Sequence, residues 1–75
     1  MSDKVEVLVF KTSVHKRRNI RFVAPYLNRL IKPQGCWNFD LEDCDNILRV
    51  ETTFANVDAI ENTLKELGFF CSVLW

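Results

Sequence analysis

The hydrophobic period along the 75-residue chain switches between two and about 3.6 in a fixed order, and this order restricts the fold more than any other feature. Val5, Val7 and Val9 alternate with Glu6, Leu8 and Phe10, so residues 4 to 10 read as a strand with apolar bulk on both faces. From about Arg18 to Ile31, the residues Ile20, Val23, Leu27 and Leu30 recur at helical spacing, with Phe22 and Tyr26 one turn apart on a neighbouring face. Pro25 falls inside this pattern. A mid-helix proline removes one backbone hydrogen bond at a cost of about 3 kcal/mol, which predicts a kink or a helix that starts only a few residues earlier. Lys32-Pro33-Gln34-Gly35 is a stop and a turn.

The second half repeats the scheme with a hairpin inserted. Trp37, Phe39 and Leu41 alternate with Asn38 and Asp40; Glu42 to Asn46 forms an acidic polar turn; Ile47 to Glu51 returns as a strand. Asn56 or Asp58 caps a helix whose stripe is Val57, Ile60, Leu64 and Leu67, Gly68 ends it, and Phe69 to Leu74 is a last strand. The order β-α-β-β-α-β predicts an α+β, ferredoxin-like sandwich, with a four-stranded antiparallel sheet and two helices on one of its faces. Residues 1–75 contain no linker or repeat and read as one domain. At this size one core yields a net stability of roughly 3–5 kcal/mol, which leaves little room for an elaborate buried active site.

Composition excludes several functions. Ten basic residues balance ten acidic ones, so any attraction to nucleic acid or to an anionic membrane has to be local. Met1-Ser2-Asp3-Lys4 leads into no long apolar stretch, so a soluble, cytoplasmic chain without membrane insertion is expected. Cys36, Cys44 and Cys71 are odd in number and show no CxxC spacing. Cys36 and Cys44 fall near opposite ends of one strand, about 20 Å apart, too far to share a bridge or a metal.

The segments "VEVLVF", "WNFDLEDCDNILRVE" and "IENTLKELGFFCSVL", taken in order over nearly the whole chain, resemble the heavy-metal-associated domain family of copper chaperones, mercury-binding proteins and metal-pumping ATPases. That family holds its ion in a Gly-Met-x-Cys-x-x-Cys loop after the first strand. Alignment on the strand places Val14 and Arg17 where the thiolates belong. Soft Cu(I) requires sulfur ligands, which an aliphatic side chain and a guanidinium do not supply. The resemblance therefore implies the fold together with a degenerate metal site.

Two candidate sites follow. His15 in the first loop and Cys44 on the hairpin tip, with Asp43 or Asp45 as a third donor, form the alternative metal set, of a kind that accepts Zn(II) or Cu. The basic run His15-Lys16-Arg17-Arg18 is expected on the same end of the domain as Glu42, Asp43 and Asp45. The second site is apolar. With Val5, Val7 and Val9 turned to the helices, Leu8 and Phe10 point to the open sheet face beside Phe70, Leu74 and Trp75 and form an interface patch. Asn38, Asp40, Arg49 and Glu51 make the other half of that face polar, and the last strand is a free edge for pairing. Cys71 reads as a small core residue. The strand Ile47 to Glu51 lacks the aromatics with which RNA recognition motifs stack bases, and the single histidine has no nucleophile at a catalytic spacing. The expectation is a protein-interaction or self-association module, a possible homodimer, that is neither an enzyme nor a nucleic-acid binder and needs no cofactor; the alternative is a heavy-metal-ion carrier using His15 and Cys44.

Overall fold

The computed structural model describes residues 4–32, 35–42, 44–53 and 56–74. The elements are β1 (Glu6–Thr12), α1 (Arg17–Ile31), β2 (Gly35–Asp40), β3 (Ile47–Thr52), α2 (Val57–Glu66) and β4 (Cys71–Val73). The strands form one sheet in the order β2-β3-β1-β4, with every neighbouring pair antiparallel. This is the expected ferredoxin-like α+β arrangement.

Register decides which side chains meet the helices. Leu8 stands opposite Val50 and Phe10 opposite Leu48, so these four share a face. Phe10, Leu48 and Val50 are fully buried and form the core with Val23, Leu27 and Ile31 of α1, Ile60 and Leu64 of α2, and Cys71 of β4. Both helices therefore cover the face that carries Leu8 and Phe10. This corrects the expected orientation of β1: Leu8 and Phe10 point inward, while Val5 and Val7 are exposed and Val9 lies on the open side. The reason is volume and pairing. β3 presents Leu48 and Val50 to one side and Arg49 and Glu51 to the other, and the larger apolar residues of β1 follow the apolar side of their partner.

In α1 the residues Val23, Leu27 and Ile31 are buried at a straight i, i+4, i+8 spacing, and Leu30, expected in the stripe, is exposed. The helix begins at Arg17, well before Pro25, and continues to Ile31. It tolerates the proline because Pro25 and Arg21, whose carbonyl loses its donor, are both exposed and open to water. The indole Nε1 of Trp37 donates to Asn28 Oδ1 at 2.9 Å and ties β2 to α1. Asn56 caps α2 by accepting from the Ala59 amide at 3.0 Å. Gly68, at φ 97°, closes α2: its amide donates to the Lys65 carbonyl and the Phe69 amide to that of Leu64, which is the left-handed C-terminal motif that favours glycine.

Phe10→Ala should remove about 3–5 kcal/mol, comparable to the entire stability of a domain this small, and leave the chain largely unfolded by far-UV circular dichroism. Phe70→Ala, at an exposed position, should stay within about 0.5 kcal/mol of the parent in urea denaturation. Equal losses in the two variants would contradict the register described here.

Candidate functional site

The loop after β1, the hairpin tip and the α2–β4 turn meet at one end of the sandwich, and a set of hydrogen bonds joins them. The Thr12 amide donates to the Asp45 carbonyl at 3.2 Å. The buried Thr12 hydroxyl donates to the Asn46 carbonyl at 2.6 Å and accepts from the Val14 amide at 3.1 Å. Ser13 makes a two-way clasp, its amide donating to the Phe70 carbonyl at 3.1 Å and its Oγ accepting from the Phe70 amide at 2.8 Å. Asn46 holds a positive φ of 51°, a conformation that asparagine tolerates in a tight turn.

Within this frame Val14 is fully buried and Arg17 is exposed. An aliphatic side chain thus fills the interior of this loop. His15 is exposed, and its Nδ1 lies 3.1 Å from the Ser13 carbonyl. A carbonyl only accepts, so Nδ1 is the donor in this contact. Cys44 is also exposed. Among the described residues no group of three or more His, Cys, Asp or Glu is placed to hold a metal ion, so His15, Cys44 and Asp45 are not gathered into one. Asp43 lies outside the described residues. Lys11 meets Asp45 at 3.6 Å, and among the described residues neither Lys16, Arg17 nor Arg18 pairs with Glu42.

Cys71 is buried, and its thiol is pushed up from the ordinary 9.0 to about 12, first by burial and then by the Glu61 carboxylate, with Lys65 opposing. It stays protonated at neutral pH and behaves as a small core side chain rather than as a thiolate ligand. Unfolding lets this proton go near the ordinary value, so its contribution to stability is present below about 9 and is lost as pH rises towards about 12.

The open face of the sheet is the second candidate. By register it carries Val7 opposite Glu51, Val9 opposite Arg49 and Lys11 opposite Ile47, with Asn38 and Asp40 farther out on β2. The Leu74 amide donates to the Val9 carbonyl at 2.7 Å and sets Leu74 beside Val9. Leu74 is 44% and Val7 40% exposed. A shallow cavity of about 600 Å³ opens here, with Val9, Ile47 and Leu74 as its apolar part and Asp40, Asp45 and Arg49 as its charged rim. Of the expected patch, Leu74 therefore remains on this face, Phe70 is exposed at the α2–β4 turn, Leu8 and Phe10 belong to the core, and Trp75 lies outside the described residues. Val7, Val9 and Ile47 take their place. The signal that finds them is β3: matching its Arg49 and Glu51 to Val9 and Val7 assigns the open face directly.

Free pairing along β4 is reduced. The Val73 amide, on the side away from β1, donates to Glu61 Oε2 at 2.8 Å, so a carboxylate from α2 already takes the donor that an added strand needs.

Thr12→Val should cost about 1–3 kcal/mol in urea denaturation, because it leaves the Val14 amide and the Asn46 carbonyl without their partner. Thr12→Ser should recover most of that loss. A neutral Thr12→Val would mean that the clasp does not hold this end together.

Compared with family models, with curated proteins and with solved structures, the chain matches none of them.

Proposed function

We propose that the chain is a metal-independent protein-interaction module, similar in plan to heavy-metal-associated domains, that docks through the open face of its sheet onto a second copy of itself. The observation that carries this reading is the apolar strip of Val7, Val9, Ile47 and Leu74 on the open face, exposed at Val7 and Leu74, with Lys11, Arg49 and Glu51 beside it and Asp40 across from Ile47. Mixed charge around an apolar centre suits a two-fold contact, in which each copy's Arg49 meets a carboxylate of the other. Four strands at about 4.8 Å spacing and six residues at about 3.3 Å rise make a face of roughly 400 Å². Two such faces bury about 800 Å² in total, below the roughly 1,200–2,000 Å² of stable specific interfaces, so the association is weak and concentration-dependent. No catalysis is assigned, and a cytoplasmic location belongs to the same reading. Among the described residues no helix is long and apolar enough to cross a membrane.

Sedimentation equilibrium of the parent should show a monomer–dimer equilibrium at micromolar to millimolar concentration, which Leu74→Glu abolishes while the circular dichroism spectrum is retained. A parent that stays monomeric throughout that range sinks self-association. The metal-carrier alternative, through His15 and Cys44, is separated by titrating reduced protein with Zn(II) and Cu(I). No submicromolar binding is expected, and tight binding lost in His15→Ala would displace the interaction reading.

A further inference from the structure

Helix α1 concentrates the charge that the balanced composition hides. Between Lys16 and Lys32 lie six of the chain's ten basic residues, Lys16, Arg17, Arg18, Arg21, Arg29 and Lys32, and no aspartate or glutamate. All six are exposed, and among the described residues none of them forms an ion pair. The same helix exposes apolar bulk: Phe22 is 51%, Leu30 43% and Tyr26 38% accessible. Since Val23, Leu27 and Ile31 face the sheet, helical spacing sets Arg18, Phe22, Pro25 and Arg29 in one line directed away from it, while Phe22, Tyr26 and Leu30, each four residues apart, run from that line back towards the buried stripe. Phe22 is braced from both sides, its ring centroid 6.3 Å from Tyr26 and 6.4 Å from Phe69, and the Arg29 guanidinium lies 6.0 Å from the Tyr26 ring. The outward surface is thus a supported apolar ridge flanked by uncompensated cations.

We propose that α1 docks flat on an anionic phospholipid surface, with its guanidinium groups at the lipid phosphates and Phe22, Tyr26 and Leu30 at the boundary between headgroups and acyl chains. Cations beside a Phe/Tyr/Leu ridge are what an interfacial helix requires, and lying on the surface needs no crossing segment. Single-stranded nucleic acid fits less well. Leu30 and Pro25 offer no stacking platform, and the Phe22 and Tyr26 rings are inclined by 59°, so they do not present successive bases with parallel faces. A second copy fits less well too, because Glu61 of the acidic helix α2 is already engaged by the Val73 amide. The inference does not rest on docking through the open sheet face, which lies on the other side of the molecule and stays available.

The test is flotation of the full chain with phosphatidylcholine vesicles that contain about one-third phosphatidylglycerol, against vesicles of phosphatidylcholine alone. Binding is expected only to the anionic vesicles at about 0.1 M salt, and it should weaken at about 0.5 M. Arg18→Glu combined with Arg29→Glu should lower affinity at least about 25-fold, at roughly fivefold per charge. Phe22→Ser, on a half-exposed ring, should lower it about tenfold with the dichroism spectrum unchanged. Tyr26→Trp supplies a second readout: its emission in excess of the parent's, which comes from Trp37 and Trp75, should shift to the blue on anionic vesicles alone. Equal partition to both vesicle types, no blue shift, an unaffected Phe22→Ser variant, or tighter binding to oligothymidylate than to vesicles would each overturn the proposal.

Discussion

The pairing of Leu8 with Val50 and of Phe10 with Leu48 across β1 and β3 is the constraint on which the rest of the molecule depends. It sets one sheet face apolar and large, and only that face can bury the stripes of both helices. Phe10 is fully buried between the sheet and the two helices. Because side chains alternate along a strand, the same pairing places Val7 and Val9 on the opposite side and creates the open apolar strip. Core and candidate interface are two consequences of one register. A slip of one residue would exchange them.

The end of the domain nearest the first loop is held by hydrogen bonds among uncharged groups. Thr12 and Ser13 bind the hairpin tip and the α2–β4 turn through neutral hydrogen bonds, and Val14 fills the space beneath them. Such bonds need no bound cation and no particular pH in the neutral range. They satisfy buried backbone groups that a flexible loop would leave without partners. His15 and Cys44, both exposed, lie outside this bonding and contribute nothing visible to it beyond the turn of the His15 ring onto Ser13.

Charge is segregated rather than paired. The two described ion pairs, Lys11 with Asp45 and Arg49 with Glu51, are half-exposed and contribute at most about 1 kcal/mol each. Among the described residues the cations of α1 form no ion pair, and the acidic hairpin and α2 lie on other elements. With apolar surface beside the basic helix and on the open sheet face, the molecule presents two dissimilar, partly apolar surfaces on opposite sides of one small core.

The element order was legible because it rests on local rules: a period of two in β-branched runs, a period near 3.6 in the helices, Asn56 at a helix start and Gly68 at a helix end. The pattern could not say which side of β1 was buried, since Val5-Val7-Val9 and Leu8-Phe10 are both apolar sets. Nor could it choose between Leu30 and Ile31 as the last core position of α1, adjacent residues separated only by their angle about the helix axis. The sequence by itself determined the architecture, the absence of any CxxC pair, and the concentration of cations in α1, since these depend on residue identity and near neighbours. Tertiary structure alone decided the buried face of β1, the clasp between Thr12, Ser13 and the distant Asn46 and Phe70, and the masking of the β4 edge by Glu61. Each of those depends on groups far apart in the chain, and only cross-strand register and volume matching bring them together.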